Sequence, residues 1–73
     1  MKLFEINTTA YEEENLLIIT DLTDDDITEV VSPLVNTERN GYEEYNNEIL
    51  YNALVKRYPY NVIILAEREI LQF

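Results

Sequence analysis

The chain predicts an α+β fold of order ββααβ, a small domain whose three-stranded, mainly antiparallel sheet carries two short helices packed on it. Three observations lead there. Two β-prone segments, residues 3–10 and 16–20, are separated by the polar break Glu12-Glu13-Glu14-Asn15. Two stretches with helical apolar spacing follow, over residues 23–35 and 42–57. A third apolar run, Val62-Ile63-Ile64-Leu65, then closes the order.

The first strand rests on a rough period of two that puts Phe4, Ile6 and Thr8 on one side. It pairs with Leu16-Leu17-Ile18-Ile19-Thr20 as a hairpin whose loop is about four or five residues long. Thr23-Asp24-Asp25-Asp26 starts the first helix, with Thr23 or Asp24 as N-cap and carboxylates against the positive end of the helix dipole. Ile27, Val30, Val31 and Leu34 keep the i, i+3, i+4, i+7 spacing. Pro33 falls inside that pattern, where its missing N–H and its ring favour a kink, or a restart with Ser32 as a new N-cap. Gly41, the only glycine, is the best place for a left-handed residue in the turn over residues 36–41.

In the second helix Tyr42, Tyr45, Ile49, Leu50, Ala53 and Leu54 share a face, and Lys56 and Arg57 suit the negative pole. It ends before Tyr58-Pro59. The third strand spans residues 61–65 and has the composition to run on toward Phe73. Up-and-down tracing sets it antiparallel beside the second strand, which becomes the centre of the sheet. The unbroken runs Leu16–Ile19 and Val62–Leu65 then present apolar groups to both faces, whereas two short helices cover only one. A second copy is the simplest cover, with Ile70, Leu71 and Phe73 able to extend the contact; the alternative is that helices and terminal segments wrap both faces.

A chain of 73 residues is expected to be one domain over residues 1–73, with a core too thin to supply more than about 3 to 5 kcal/mol. With no cysteine to staple it, self-association as a homodimer is expected. The 47% hydrophobic content argues against disorder despite the charge. The first residues lack the apolar core of a signal peptide and no run approaches the ~20 residues that span a bilayer, so a cytoplasmic location is expected.

Charge is polarised along the chain. Twelve of the fifteen acids lie between Glu12 and Glu48, where Arg39 is the only base, so this stretch carries 1 − 12 = −11. Glu12, Glu13 and Glu14 form one group, Asp21, Asp24, Asp25 and Asp26 a second, and Glu29, Glu38, Glu43, Glu44 and Glu48 continue along the helices. On the hairpin the first two groups stand at opposite ends, roughly 23 Å apart at 3.3 Å per strand residue, or about seven base-pair steps of a duplex. Direct nucleic-acid binding is disfavoured at a pI near 4.1, and a basic partner is the natural complement. A solvated surface is the plainer reading of the same acids.

Enzyme chemistry is not expected. With no His and no Cys, the usual nucleophile, base and metal combinations lose their members. The carboxylates lie in exposed polar runs without the paired environments that separate acid from base. One glycine excludes a glycine-rich phosphate loop, and Asp24-Asp25-Asp26 lacks the alternation of a calcium loop, so neither cofactor nor metal is expected. Tyr42, Tyr45 and Tyr51 read either as interface anchors or as rings leaning on the core with their hydroxyls in water.

Small size, strong acidity, missing catalytic residues and a compact mixed fold together resemble the bacteriophage-encoded DNA-mimic inhibitors, most closely the type that blocks the bacterial nucleoid protein HU. That resemblance implies an inhibitor in the host bacterial cytoplasm that occupies the DNA-binding surface of a basic host protein; the charge distribution makes the twelve acids between Glu12 and Glu48 the expected contacts. The competing expectation is a small phage or bacterial interaction module that inhibits a host enzyme such as RNA polymerase through an apolar surface.

Overall fold

The structure is a computed structural model that describes residues 1–7, 15–39, 46–67, 69, 71 and 72, with backbone alone for residues 36–39. Its elements are β1 (Lys2–Ile6), β2 (Leu16–Thr20), α1 (Asp24–Arg39), α2 (Asn47–Arg57) and β3 (Ile63–Leu65). The fold is α+β in the expected ββααβ order, with sheet order β1-β2-β3 and both pairings antiparallel. Lys2 faces Thr20 and Ile6 faces Leu16; Ile18 faces Leu65 and Thr20 faces Ile63. A further bond, Ala66 N–H to the Leu17 carbonyl at 2.9 Å, extends that second pairing past the end of β3.

The pleat sorts β2 cleanly. Leu16, Ile18 and Thr20 are buried on one face, where they meet Leu22 and Ile27, Val31, Leu50 and Leu54 of the two helices. Phe4, Ile6 and Ile63 join this core from the outer strands. The opposite face carries the cross-strand row Leu3, Ile19 and Ile64, exposed at 62%, 36% and 50%. Both helices lie on one side of the sheet, as expected for two short helices that cover only one face.

Thr20 is the one buried polar residue among those described, and its hydroxyl is satisfied twice. It donates to the Val62 carbonyl and accepts from Leu22 N–H at 3.1 Å. A buried hydroxyl with no partner would cost on the order of 1–3 kcal/mol, so this pair of bonds is what lets threonine end the central strand.

Several local expectations are corrected. Helix α1 runs unbroken from Asp24 to Arg39 through Pro33, with neither a restart nor a separate cap at Ser32. Apolar positions on both sides of Pro33, Val31 before it and Leu34 and Val35 after it, pack against the same core. That packing outweighs the hydrogen bond that proline cannot donate to the Glu29 carbonyl. Helix α2 begins at Asn47, with Asn46 as its cap accepting from Ile49 N–H at 2.9 Å. Ile49 is 41% exposed and lies off the buried face, which consists of Leu50 and Leu54 with Ala53 and Tyr51 half-buried. Strand β3 has three residues and stops at Leu65. The expected hairpin loop, the extension of β1 through residues 8–10, Gly41, Tyr42, Tyr45, Ile70 and Phe73 lie outside the described residues.

Candidate functional site: the acidic corner

Five of the described acids, Asp21, Asp24, Asp25, Asp26 and Glu29, lie where β2 hands over to α1. Thr23 is the N-cap of that helix: Asp26 N–H donates to its Oγ1 at 3.2 Å, while Thr23 N–H donates back to Asp26 Oδ2 at 3.0 Å. This reciprocal pair is a capping box with aspartate in the third position, and it decides between the two caps the sequence allowed. Asp24 Oδ1 accepts from Asp25 N–H at 3.0 Å, and the Thr28 hydroxyl donates to the Asp24 carbonyl at 2.8 Å. The first turn therefore holds three carboxylates at the positive end of the dipole, although one suffices for the box.

Asp21 is engaged differently. Its Oδ1 accepts from Asn61 Nδ2 and from Val62 N–H, both at 3.2 Å, tying the end of β2 to the segment that leads into β3. Asp21 is thus a brace for the sheet as well as a member of the acidic group.

Tyr58 closes the corner from the C-terminal side of α2. Desolvation, followed by the Asp26 carboxylate, raises its hydroxyl above the ordinary value of 10.0; the Arg57 guanidinium opposes this, Glu29 adds to it, and the hydroxyl hydrogen-bonds Asp26. Arg57 lies 4.9 Å from the centroid of the Tyr58 ring, so this base is held over an aromatic face beside the corner.

Glu48 sits elsewhere. Asn47 lines a hollow with Asn15, Leu16 and Leu17 at the opening end of β2, while Tyr58 reaches Asp26 and Asn61 reaches Asp21 at its closing end. Helix α2 therefore runs antiparallel to β2, and Glu48 stands about 15 Å along it from Tyr58 by the 1.5 Å rise per residue. The structure brings together Asp21, Asp24, Asp25, Asp26 and Glu29, and leaves Glu48 at the far end. Glu12, Glu13, Glu14, Glu43 and Glu44, and the side chain of Glu38, lie outside the described residues, so the expected separation of two acid groups along the hairpin does too.

Two residues have placements that spacing did not reveal. Tyr51, open between anchor and core, is half-buried and donates from its hydroxyl to the Ile63 carbonyl at 3.1 Å, joining α2 to β3. Tyr60, which no periodicity singled out, is 99% exposed in the turn after Pro59.

No group of three or more acids among the described residues is arranged to hold a metal ion. No described helix is long and apolar enough to cross a membrane. Comparison of the chain with family models, curated proteins and solved structures returns no match.

Proposed function

We propose that this protein is an acidic DNA mimic, which binds the DNA-binding surface of a basic host protein, of the HU nucleoid type, and blocks its access to DNA. The observation that carries the reading is the acidic corner. Five carboxylates lie within the nine residues from Asp21 to Glu29, and of these Asp21, Asp24 and Asp26 bond backbone N–H groups through their side chains. Crowded like charges raise electrostatic self-repulsion, which the helix dipole offsets in the first turn of α1 and which a basic partner would relieve further. Asp25 and Glu29 are the exposed members not used in the cap or the sheet brace, and Glu48 adds a charge in the first turn of α2. Carboxylates so placed meet the lysines and arginines that otherwise neutralise phosphates.

Self-association belongs to the proposal. The Leu3–Ile19–Ile64 row offers an apolar seam, and a pair joined there carries −20 with its acidic corners outside it. Three strands at about 4.8 Å and five residues at about 3.3 Å make a face of only some 250 Å², well below the roughly 800 Å² per partner of a stable interface. Such a dimer is weak and concentration-dependent. The same row favours the second reading, a module that inhibits a host enzyme through its apolar surface.

The deciding experiment immobilises the full chain, passes bacterial lysate over it, elutes with a salt gradient and challenges the bound fraction with duplex DNA. A basic DNA-binding protein displaced by the duplex supports mimicry. Recovery of a neutral protein that withstands salt and ignores DNA supports the apolar module and removes the first reading.

A further inference from the structure

A groove of about 470 Å³ opens between α1 and the core-facing side of β1. From α1 it takes Ile27, Val31 and Val35, which recur every four residues as one ridge, and from β1 the alternate residues Phe4 and Ile6. Phe4, Ile6 and Val35 are only half-buried, so the apolar lining stays within reach of solvent. Thr28 and Ser32, small and exposed, form the next row of α1, with Asp24 at the N-terminal end of that row. From Asp24 to Val35 the stripe is about 16 Å long at 1.5 Å per residue, or about three turns. At roughly 100° per residue, Asp25 and Glu29 fall beside Ser32, on the side away from Val30 and Leu34, which pack against the core.

We infer that this groove takes an amphipathic basic helix of a partner protein, whose apolar stripe seats against Phe4, Ile6 and Val35 and whose lysines and arginines meet Asp24, Asp25 and Glu29. The form of the lining selects a helix. A ridge at every fourth residue beside a row of small side chains is a surface with which a second helix interdigitates, and an apolar helical face laid into such a groove is a recurrent mode of recognition. Charge selects its sign. The carboxylates edge the solvent side of the stripe, and a chain of net charge −10 disfavours an acidic helix or a second copy of itself. The site goes beyond duplex mimicry, since its occupant is held by apolar burial along α1, which binding through a phosphate-like surface does not involve.

The test titrates the isotope-labelled full chain with a capped peptide of about twelve residues, built of leucine, alanine and lysine with the leucines at helical spacing. Expected are methyl shifts at Ile6, Ile27, Val31 and Val35, and none at Leu3, Ile19 or Ile64. A peptide of the same composition with its leucines scattered round the helix keeps the charge and loses the stripe. It is expected to bind about tenfold more weakly or worse, since each leucine left unburied forfeits roughly a decade of affinity. Ser32→Trp, which fills the groove from an exposed position, is expected to weaken binding similarly at an unchanged thermal midpoint, and Ser32→Ala to leave binding intact. Absence of the groove shifts, equal binding of the scattered peptide, or equal binding of one with glutamate for lysine would each overturn the assignment. So would equal binding of a peptide broken by a central proline, or shifts confined to the Leu3–Ile19–Ile64 face. Concentration-dependent shifts of the same four methyls in the free protein would overturn it as well, by making a second copy the occupant. None of these outcomes bears on whether duplex DNA displaces a protein captured from lysate, so this site and mimicry fail separately.

Discussion

Asp21 holds Val62: the carboxylate Oδ1 at the end of β2 accepts the Val62 N–H at 3.2 Å, and Asn61 Nδ2 at the same distance. This single side chain joins the central strand to the approach of β3. Asp21→Ala is expected to lower stability by about 1 kcal/mol, the net worth of such bonds where water can replace them. Asp21→Asn, which keeps an acceptor oxygen, recovers most of it. Asp25→Asn is expected to change stability by no more than about 0.5 kcal/mol, as a surface change that loses a dipole contact and relieves repulsion. Urea midpoints at constant m separate these cases.

The Thr23–Asp26 box sets where α1 begins. Thr23→Ala is expected to cost about 1 kcal/mol and Thr23→Ser much less, because the serine hydroxyl still accepts from Asp26 N–H. Equal losses for the two variants in chemical denaturation would show that the hydroxyl is not the cap.

Tyr58 is expected to make stability fall at high pH. Its folded-state value is raised above the ordinary 10.0, so between the two values the folded chain retains a proton that the unfolded chain releases. The contribution is complete below pH 10 and is lost as pH rises through the folded value. Thermal midpoints of the native chain are expected to drop more steeply above pH 10 than those of Tyr58→Phe, and ultraviolet titration is expected to lose a late-ionising component in that variant.

Element order and sheet pairing were legible because the apolar runs of β2 and β3 and the spacing of Ile27, Val31, Leu50 and Leu54 carry their periods openly. The path of α1 through Pro33 was not legible, since a local rule about proline was overruled by packing on both sides of it. Ile49 was misplaced because helical spacing gives a face and not its edges. For the site, the gathering of Asp21, Asp24, Asp25, Asp26 and Glu29 followed from their closeness in sequence. The division of labour within it did not: the bonds of Asp21 reach residues 40 and 41 positions away. The hydroxyl bond from Tyr51 to Ile63 was hidden for the same reason, as both depend on tertiary contacts.

The open sheet face predicts association that one charge abolishes. Ile19, at the centre of the Leu3–Ile19–Ile64 row, is already 36% exposed, so Ile19→Lys places its ammonium in water without disturbing the buried side of β2. Sedimentation is expected to show the native chain moving from monomer toward dimer as concentration rises, and Ile19→Lys remaining monomeric with an unchanged circular-dichroism spectrum. A native chain that stays monomeric at millimolar concentration removes this face as a seam.

Binding to a basic partner is best probed through carboxylates that the fold does not use. Replacing Asp24, Asp25 and Asp26 together would also remove the helix cap and confuse lost binding with lost structure. Asp25→Asn combined with Glu29→Gln avoids that, because both side chains are exposed and lie outside the box. Two surface charges at up to about 1 kcal/mol each predict a loss of affinity of roughly tenfold at low salt. Since the Debye length shrinks from about 30 Å at 0.01 M to about 8 Å at 0.15 M, native affinity is expected to fall with salt and the double variant to fall less steeply. Ile64→Lys, on the opposite sheet face, is expected to leave that salt slope intact. A slope unaffected by the double variant and flattened by Ile64→Lys would transfer binding from the acidic corner to the apolar face.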